Sequence, residues 1–151
     1  MPRHFIEREL PYTPKECFDL VADVESYPKF LPWCESAKTI ERLSDKVMLA
    51  DLTVHFRGVR GKYTSRVECD RDAKEIHVEL AQGLFKHLIQ GWKFVPAKNG
   101  AHTLVEFDLD FALRSFLLEK LADMAFDHAC KKMMAAFMGE AEKRYGKRAS
   151  A

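Results

Sequence analysis

The chain has 151 residues, with 24 lysines and arginines, 23 aspartates and glutamates, and a formal net charge of +1 at pH 7. This length predicts a single domain over residues 1–151, which buries about 68–70% of its unfolded surface without a metal or a disulfide to stabilise it. The balanced charge excludes a basic footprint over the whole surface, so DNA is not an expected partner.

The cysteine pattern and the hydropathy indicate where the protein works. The four cysteines form no Cys-x-x-Cys pair and the histidines show no zinc spacing, so no metal site is expected. The first residues lack the pattern of a signal peptide, and no apolar run approaches the roughly 20 residues that span a membrane. We therefore expect a cytoplasmic protein with free thiols, either in solution or peripherally bound at the inner face of the membrane.

The N-terminal sequence predicts a strand and then a short capped helix. Residues 3–10 can form the strand. Thr13 is typical of a helix N-cap, Pro14 of the first helical position, and Glu16 of the partner residue in a capping box. The apolar positions that follow give this helix one buried face, and we expect it to end near Asp23.

An apolar segment with two prolines follows this helix at residues 23–34. It contains Tyr27, Phe30, Leu31 and Trp33. Each X-Pro bond biases the preceding residue away from the α region, so Tyr27 and Leu31 are expected to be extended. Because such an apolar segment must pack against something, it either plugs the core or forms the mouth of a pocket.

From about residue 35 to 112 the chain alternates apolar and polar positions between turn signals, which predicts five or six consecutive antiparallel strands. The last of these strands has the clearest pattern, with one apolar face and one polar face. The polar face carries three carboxylates between Glu106 and Asp110. They either bind a cation or form a solvated face that pairs with basic residues on the neighbouring strand, for which Lys62 and Arg66 are the candidates.

The C-terminal part of the chain changes to a helical period. Between Ser115 and Tyr145 there is no proline and one glycine, and the apolar residues fall on two adjoining stripes. This pattern predicts one long amphipathic helix. A run of antiparallel strands followed by such a helix can bury both apolar faces if the sheet curls around the helix. That arrangement tends to leave a cavity between sheet and helix, which is a default site for a ligand.

No set of residues indicates catalysis. The six histidines lie outside nucleophile and metalloprotease motifs, so we predict no catalytic residues. The basic turn that includes Arg57, Arg60 and Lys62 has no phosphate-loop spacing. It is either a solvated hairpin tip or a contact for RNA phosphates or anionic lipid head groups. The basic residues at 143–148 either complement the helix dipole or extend that contact.

Several stretches resemble one known family. Residues 23–34, Asp-Val-Glu-Ser-Tyr-Pro-Lys-Phe-Leu-Pro-Trp-Cys, are similar to the signature of the coenzyme Q-binding START-domain proteins. Residues 13–18, 56–63 and 83–88 support the match, which covers nearly the whole chain. The family includes bacterial members described as polyketide cyclase/dehydrase-like or as ribosome-association toxins.

The resemblance implies an α+β helix-grip fold of the START/Bet v 1-like type, with a curved antiparallel sheet wrapped around a long C-terminal helix and a deep apolar tunnel. It also implies a non-enzymatic protein that binds ubiquinone (coenzyme Q) or a similar polyisoprenoid quinone, as a ligand rather than a cofactor, in support of respiratory electron transport. Two alternatives stay open. One is a regulator or toxin that binds the large ribosomal subunit and blocks subunit association, and the weaker one is a polyketide cyclase-like enzyme.

We predict the ligand-binding residues from their facing and spacing. The sheet side is expected to contribute Leu88, Trp92, Phe107 and Phe111, the helix side Leu121, Met124, Ala125 and His128, and the entrance Phe30, Leu31 and Trp33. Tyr63 is expected to donate a hydrogen bond to a quinone carbonyl. The pattern that these residues share is a mostly apolar wall with few polar groups, among them Tyr63 and His128.

Overall fold

In the part of the chain that the structure describes, the fold consists of seven strands, two α-helices and two short 3-10 helices. We describe the chain from a computed structural model, which covers residues 3–56, 59–83, 85–113 and 116–148 and, within them, side chains other than those of Arg3, Phe56, Val59, Leu113 and 116–127. In chain order the elements are β1 (Arg3–Leu10), α1 (Pro14–Ala22), the 3-10 helix η1 (Val24–Lys29), β2 (Cys34–Arg42), β3 (Val47–Phe56), β4 (Val59–Asp70), β5 (Glu75–Gly83), β6 (Phe85–Ala97), the 3-10 helix η2 (Lys98–Gly100), β7 (His102–Leu113) and α2 (Phe116–Tyr145).

All seven strands form one antiparallel sheet in the order β1-β7-β6-β5-β4-β3-β2. Strands β2 to β7 are a meander in which each strand pairs with the next. β1 closes the other edge by pairing with β7. The curved sheet and the long C-terminal helix confirm the predicted α+β helix-grip architecture.

The capped start of α1 is confirmed in detail. The backbone N–H of Glu16 donates to Thr13 Oγ1 at 3.2 Å, and the N–H of Thr13 donates to Glu16 Oε1 at 2.9 Å. These two bonds satisfy donors that a helix N-terminus would otherwise leave free. The helix ends at Ala22 with Asp23 as its C-cap, and it buries the side chains of Cys17, Phe18, Leu20 and Val21.

The segment after α1 forms η1 over Val24–Lys29, so the prediction of an extended Tyr27 was wrong. The turn begins with the N–H of Ser26 donating to the Asp23 carbonyl at 3.1 Å. Pro28 lies inside this 3-10 helix. A helix this short tolerates proline because the ring fixes φ near the helical value and the missing N–H removes a single hydrogen bond.

The partners predicted for the acidic face of β7 were also wrong. β4 carries Lys62 and Arg66 and lies three strand positions away from β7. Lys62 instead forms an ion pair with Asp51 on the adjacent β3, with 3.7 Å between Nζ and Oδ2. On β7, Asp110 contacts the His87 ring on the adjacent β6 at 2.9 Å. Side chains pair across neighbouring strands, so the strand order decides these partners.

The main core lies between the sheet and the helices. α2 contributes Met134, Phe137 and Ala141 to this core, and α1 packs beside it. A second, smaller cluster contains Leu88, Phe111 and Cys130. Among the helices that the structure describes, none has the length and apolar character needed to cross a membrane.

The residues after α2 are attached to α1 and to the loop before it. The Tyr12 hydroxyl donates to the Gly146 carbonyl at 2.9 Å. The Arg148 guanidinium forms a two-pronged ion pair with Glu16 and lies 4.9 Å from the centre of the Tyr12 ring. These contacts hold the residues that follow α2 against α1 and the loop before it.

We expect the Arg148→Ala variant to have a lower melting temperature than the parent at pH 7, by a few degrees. The hydrogen bonds from Arg148 lower the pKa of Glu16, so folding favours the Glu16 carboxylate. The stabilisation is therefore complete above the ordinary Glu pKa of about 4.3 and is lost as the pH falls below it. Thermal unfolding of both proteins from pH 7 to pH 3 measures this, and their melting temperatures should converge on acidification. Lys147→Ala is the control. A pH-independent difference would contradict the assignment.

Candidate ligand-binding cavity

A partly open cavity of about 100 Å³ lies between the inner face of the sheet and α2. η1 and the residues that follow it close one side. Its described lining is mostly apolar and consists of Val21, Val24, Tyr27, Leu31, Trp33, Cys34, Leu52, Val54, Tyr63, Ser65, Val67, Ile76, Val78, Gln90, Trp92, Phe107, Met133 and Phe137. The helices, η1 and strands β3 to β7 therefore all contribute to one site.

An aromatic cluster around Phe137 holds the wall of this cavity together. The Phe137 ring meets Tyr27 and Phe30 edge-on, with ring centres 5.6 Å and 5.2 Å apart. It also meets Trp92 at 5.6 Å, and Trp92 in turn lies 4.4 Å from Phe107. Tilted and edge-to-face pairs at these distances are favourable beyond their area of burial. The cluster therefore connects α2, the η1 segment and strands β6 and β7.

Hydrogen bonds from the Tyr27 side chain and from the backbone fix the η1 segment, and the residues that follow it, as one wall of the cavity. The Tyr27 hydroxyl donates to the Val21 carbonyl in α1. The N–H of His55 in β3 donates to the Trp33 carbonyl at 2.9 Å, and the N–H of Leu31 donates to the Tyr27 carbonyl at 2.8 Å. These contacts attach Leu31 to η1 and Trp33 to β3, and so hold both residues at the cavity. The sequence left open whether this segment plugs the core or forms a pocket mouth, and in the structure it forms part of the cavity wall.

The described lining contains no aspartate, glutamate, histidine, lysine or arginine. Its titratable groups are two phenols and one thiol. Burial raises the pKa of Tyr27 and of Tyr63 well above the ordinary phenol value, and it raises the pKa of Cys34 to about 11. All three groups are therefore protonated and neutral near pH 7, so they can donate hydrogen bonds but supply no charge.

Alkylation of Cys34 is expected to be very slow. With a pKa of about 11, only about one thiol in a thousand is ionised at pH 8, so iodoacetamide should react at least 100-fold more slowly than with a free cysteine. A variant that retains only Cys34, with Cys17, Cys69 and Cys130 replaced by alanine, isolates this thiol. Mass spectrometry over time gives the rate, and the same variant in urea is the control. Reaction at the rate of a free thiol in the folded protein would contradict the buried position.

The structure places five of the predicted ligand-binding residues on the cavity wall. These are Leu31, Trp33, Tyr63, Trp92 and Phe107. Gly83, with φ of +123°, packs so closely on β4 that an added Cβ would lie 2.6 Å from the Tyr63 Cα. This close approach fixes the backbone beside Tyr63, and only glycine has room there.

The other predicted residues lie elsewhere or outside the described side chains. Phe30 packs on Tyr27 and Phe137 without being part of the described lining. Leu88 and Phe111 belong to the second cluster, further along their strands, and His128 is exposed on α2. None of these four residues lies in the described part of this cavity's lining, and their role in ligand binding stays a prediction. The side chains of the remaining three residues lie outside the described residues, namely Leu121, Met124 and Ala125.

The basic hairpin is partly neutralised by carboxylates. Arg60 pairs with Glu35 at 2.7 Å, and Lys62 pairs with Asp51 at 3.7 Å. Arg57 lies outside the described residues. The side chains at the two described positions are still more than half exposed, so they can reach solvent or a partner. Exposed ion pairs of this kind contribute little to stability, about 0–1 kcal/mol.

Sequence reasoning missed part of the wall. On β5 it missed Ile76 and Val78, and on β4 and β6 it missed Ser65 and Gln90. The alternation of apolar and polar residues in β4 and β5 was the signal that could have found them, because every second residue of these strands faces the helix. Ser65 and Gln90 are unusual on that face, because they are polar and most of its other residues are apolar.

The sequence matches a known protein family over most of its length. Residues 10–138 match the family described as polyketide cyclase/dehydrase and lipid transport. The chain is 38% identical to the ribosome association toxin RatA of Rickettsia prowazekii, over 85% of this chain and 88% of that protein. It is 31% identical to the mitochondrial coenzyme Q-binding protein COQ10 homolog B of Xenopus laevis, over 91% of this chain and 57% of that protein.

Solved structures share the fold. The solution structure of an 18 kDa protein from Caulobacter crescentus is 40% identical, has a TM-score of 0.80 and is matched over 97% of this chain and 100% of that one. The Zhui aromatase/cyclase of Streptomyces sp. R1128 is 18% identical with a TM-score of 0.81, over 95% of this chain and 96% of that one, and this likeness concerns the fold alone. Together with the cavity between sheet and helix, these matches show that the chain belongs to the polyketide cyclase/dehydrase and lipid-transport family, with a START-like helix-grip fold.

Proposed function

We propose that this protein is a non-enzymatic binding protein for ubiquinone or a similar polyisoprenoid quinone, which it holds in support of respiratory electron transport. The observation that carries the proposal is the cavity between sheet and helix, with its mostly apolar lining and a few neutral polar groups. Such a lining favours a ligand that is largely hydrocarbon with a small polar part. The 31% identity to a coenzyme Q-binding protein supports the same ligand class.

The energetics of an isoprenoid ligand are favourable. Each CH2 removed from water contributes about 0.8 kcal/mol, so a few isoprene units provide useful affinity. The cavity volume of about 100 Å³ is smaller than the roughly 150 Å³ of an engineered cavity that binds benzene. A quinone ring therefore enters only if the wall moves outward. Peripheral contact with a membrane would supply the ligand, because that is where polyisoprenoid quinones dissolve.

The lining also supports a binding role over an enzymatic one. A cyclase or hydrolase needs a general acid or base with a pKa near the working pH. The described lining has no carboxylate and no imidazole, and its phenols and thiol have raised pKa values. Groups that remain neutral across the physiological range can position a ligand, but they are poorly suited to proton transfer at pH 7.

The test is to identify what the purified protein carries. The full chain is expressed in a host that makes ubiquinone, purified without detergent and extracted with organic solvent. Mass spectrometry and ultraviolet spectroscopy of the extract should find a quinone well above the level in a mock purification. An extract without quinone, together with no binding of added quinone to the purified protein, would contradict the proposal.

A second candidate function is regulation of ribosomal subunit association. The observation that favours it is the 38% identity to a ribosome association toxin over 88% of that protein's length. The exposed basic side chains Arg60 and Lys62 could contact RNA phosphates. Each already pairs with a carboxylate, and this pairing reduces the charge available to RNA.

Salt dependence separates the two functions. Binding to ribosomal RNA through phosphates should weaken steeply as salt rises from 50 to 200 mM, because counterions are released on binding. Quinone retention should be nearly unchanged over the same range, because it depends on apolar burial. Co-sedimentation with large ribosomal subunits at low salt, from a protein that carries no quinone, would favour the second function.

A further inference from the structure

Three polar side chains line the cavity without a hydrogen bond to any residue that the structure describes. On the inner face of β4, Tyr63 and Ser65 lie two residues apart, and Gln90 lies on the inner face of β6. All three line the cavity among apolar neighbours. None of their side chains forms a hydrogen bond with any residue that the structure describes. Ser65 is buried and the other two side chains are partly buried, yet no fully buried side-chain nitrogen or oxygen in the described residues lacks a hydrogen-bond partner. The polar atoms of these three side chains therefore border the open space of the cavity, where a ligand or a water can bond them.

Ser65 is the clearest case. Three serine or threonine side chains are buried in the described part of the chain, at Thr64, Ser65 and Thr103. Thr64 donates to Asp51, and Thr103 donates to the Tyr12 carbonyl at 2.7 Å. Ser65 is only 2% exposed, and its hydroxyl has no such acceptor among the described residues. Its Oγ therefore faces the cavity, where a ligand or a water can bond it.

The sheet register places the donors on one wall of the cavity. Gln90 pairs with Val78 on β5, and Val78 pairs with Val67 on β4, two residues beyond Ser65. Ser65 and Gln90 are thus about 10 Å apart across the sheet and offset by two residues along the strands. Two separated donors on one wall fit a ring that lies along the sheet with a carbonyl oxygen toward each donor, at about 2.8 Å. Burial keeps the nearby Tyr63 phenol protonated, so it is a third donor.

We propose that the carbonyl-bearing end of the ligand enters the cavity first and accepts hydrogen bonds from Ser65 and Gln90. The apolar tail then lies toward Trp33 and Val54, which are apolar and, like Gln90, only partly buried, whereas Ser65 is 2% exposed. This orientation rests on the proposed function, and it adds which end of the ligand is recognised and by which residues. Polar groups deep in the site provide specificity, while burial of the tail provides affinity.

Two probes with the same tail test this orientation. Decylubiquinone has the quinone ring, and decylbenzene has a six-membered ring and the same ten-carbon tail without carbonyls. Titration calorimetry compares the parent with Ser65→Ala, Gln90→Leu and the double variant. Each single change should weaken decylubiquinone binding about fivefold and the double change about 20-fold, since each removes one hydrogen bond. Binding of decylbenzene should not change.

Stability measurements separate this role from a structural one. Ser65→Ala should be about as stable as the parent in urea, because the Ser65 hydroxyl borders the cavity and bonds no residue that the structure describes. Thr103→Val is the matched control, and it should be less stable because it breaks the bond to the Tyr12 carbonyl.

The outcomes are distinct. Weaker binding of decylubiquinone alone, with stability retained, supports the orientation. If the double variant binds decylubiquinone as tightly as the parent does, and decylbenzene likewise, the orientation is overturned and the proposed function stands. Failure of the parent protein to bind decylubiquinone at all overturns both.

Discussion

Replacing Phe137 by alanine is expected to lower the free energy of unfolding by about 3–5 kcal/mol, the usual cost of deleting a buried aromatic side chain. Phe137 is 3% exposed and contacts Tyr27, Phe30 and Trp92. Its loss removes the side chain through which α2 holds both the η1 segment and the sheet. Urea unfolding monitored by circular dichroism measures the change. This loss is a large part of the 5–15 kcal/mol that usually stabilises a domain.

Phe5→Ala is the matched control, because it deletes the same atoms from the outer face of β1. The Phe5 side chain is 57% exposed, so its removal should change the unfolding free energy by less than about 0.5 kcal/mol. A small effect at Phe137 would mean that the aromatic cluster does not hold the wall. The η1 segment would then be fixed by its backbone hydrogen bonds alone.

Local sequence signals predicted much of this fold. The Thr13–Glu16 capping box, the alternating strands and the long helix that ends at Tyr145 each depend on residues close together in the chain. Caps, turns and period-two patterns describe interactions within a few residues, so they can be recognised without knowing the fold. The order of these elements then limited how the sheet and the helix could bury their apolar faces.

The lining of the cavity depends on distances that such signals do not contain. Alternation correctly placed both Trp92 and Leu88 on the inner face of β6, but only Trp92 reaches the cavity. Which of the inner-face residues of a strand reach the cavity depends on where the helix and the η1 segment cross the sheet. The same limit explains Tyr27, whose 3-10 conformation accompanies packing on Phe137 rather than the local preference before proline.

Filling the cavity should abolish ligand binding while it leaves the fold intact. Val78 lies on the central strand β5, is buried and faces the cavity. Val78→Phe adds four carbon atoms to a space of about 100 Å³, so the new ring occupies the volume that the ligand needs. We expect quinone binding to weaken at least tenfold, and the unfolding free energy to change by less than about 1 kcal/mol, because filling a void offsets the strain of overpacking.

Val95→Phe makes the same substitution on an exposed position of β6, and it should leave both quantities unchanged. Fluorescence titration with decylubiquinone and urea unfolding of the three proteins provide the comparison. Because Val78→Phe removes no polar group and no surface charge, a loss of quinone binding would be assigned to the cavity volume. If the filled variant instead retained quinone and lost affinity for ribosomal subunits, the cavity would not be the quinone site.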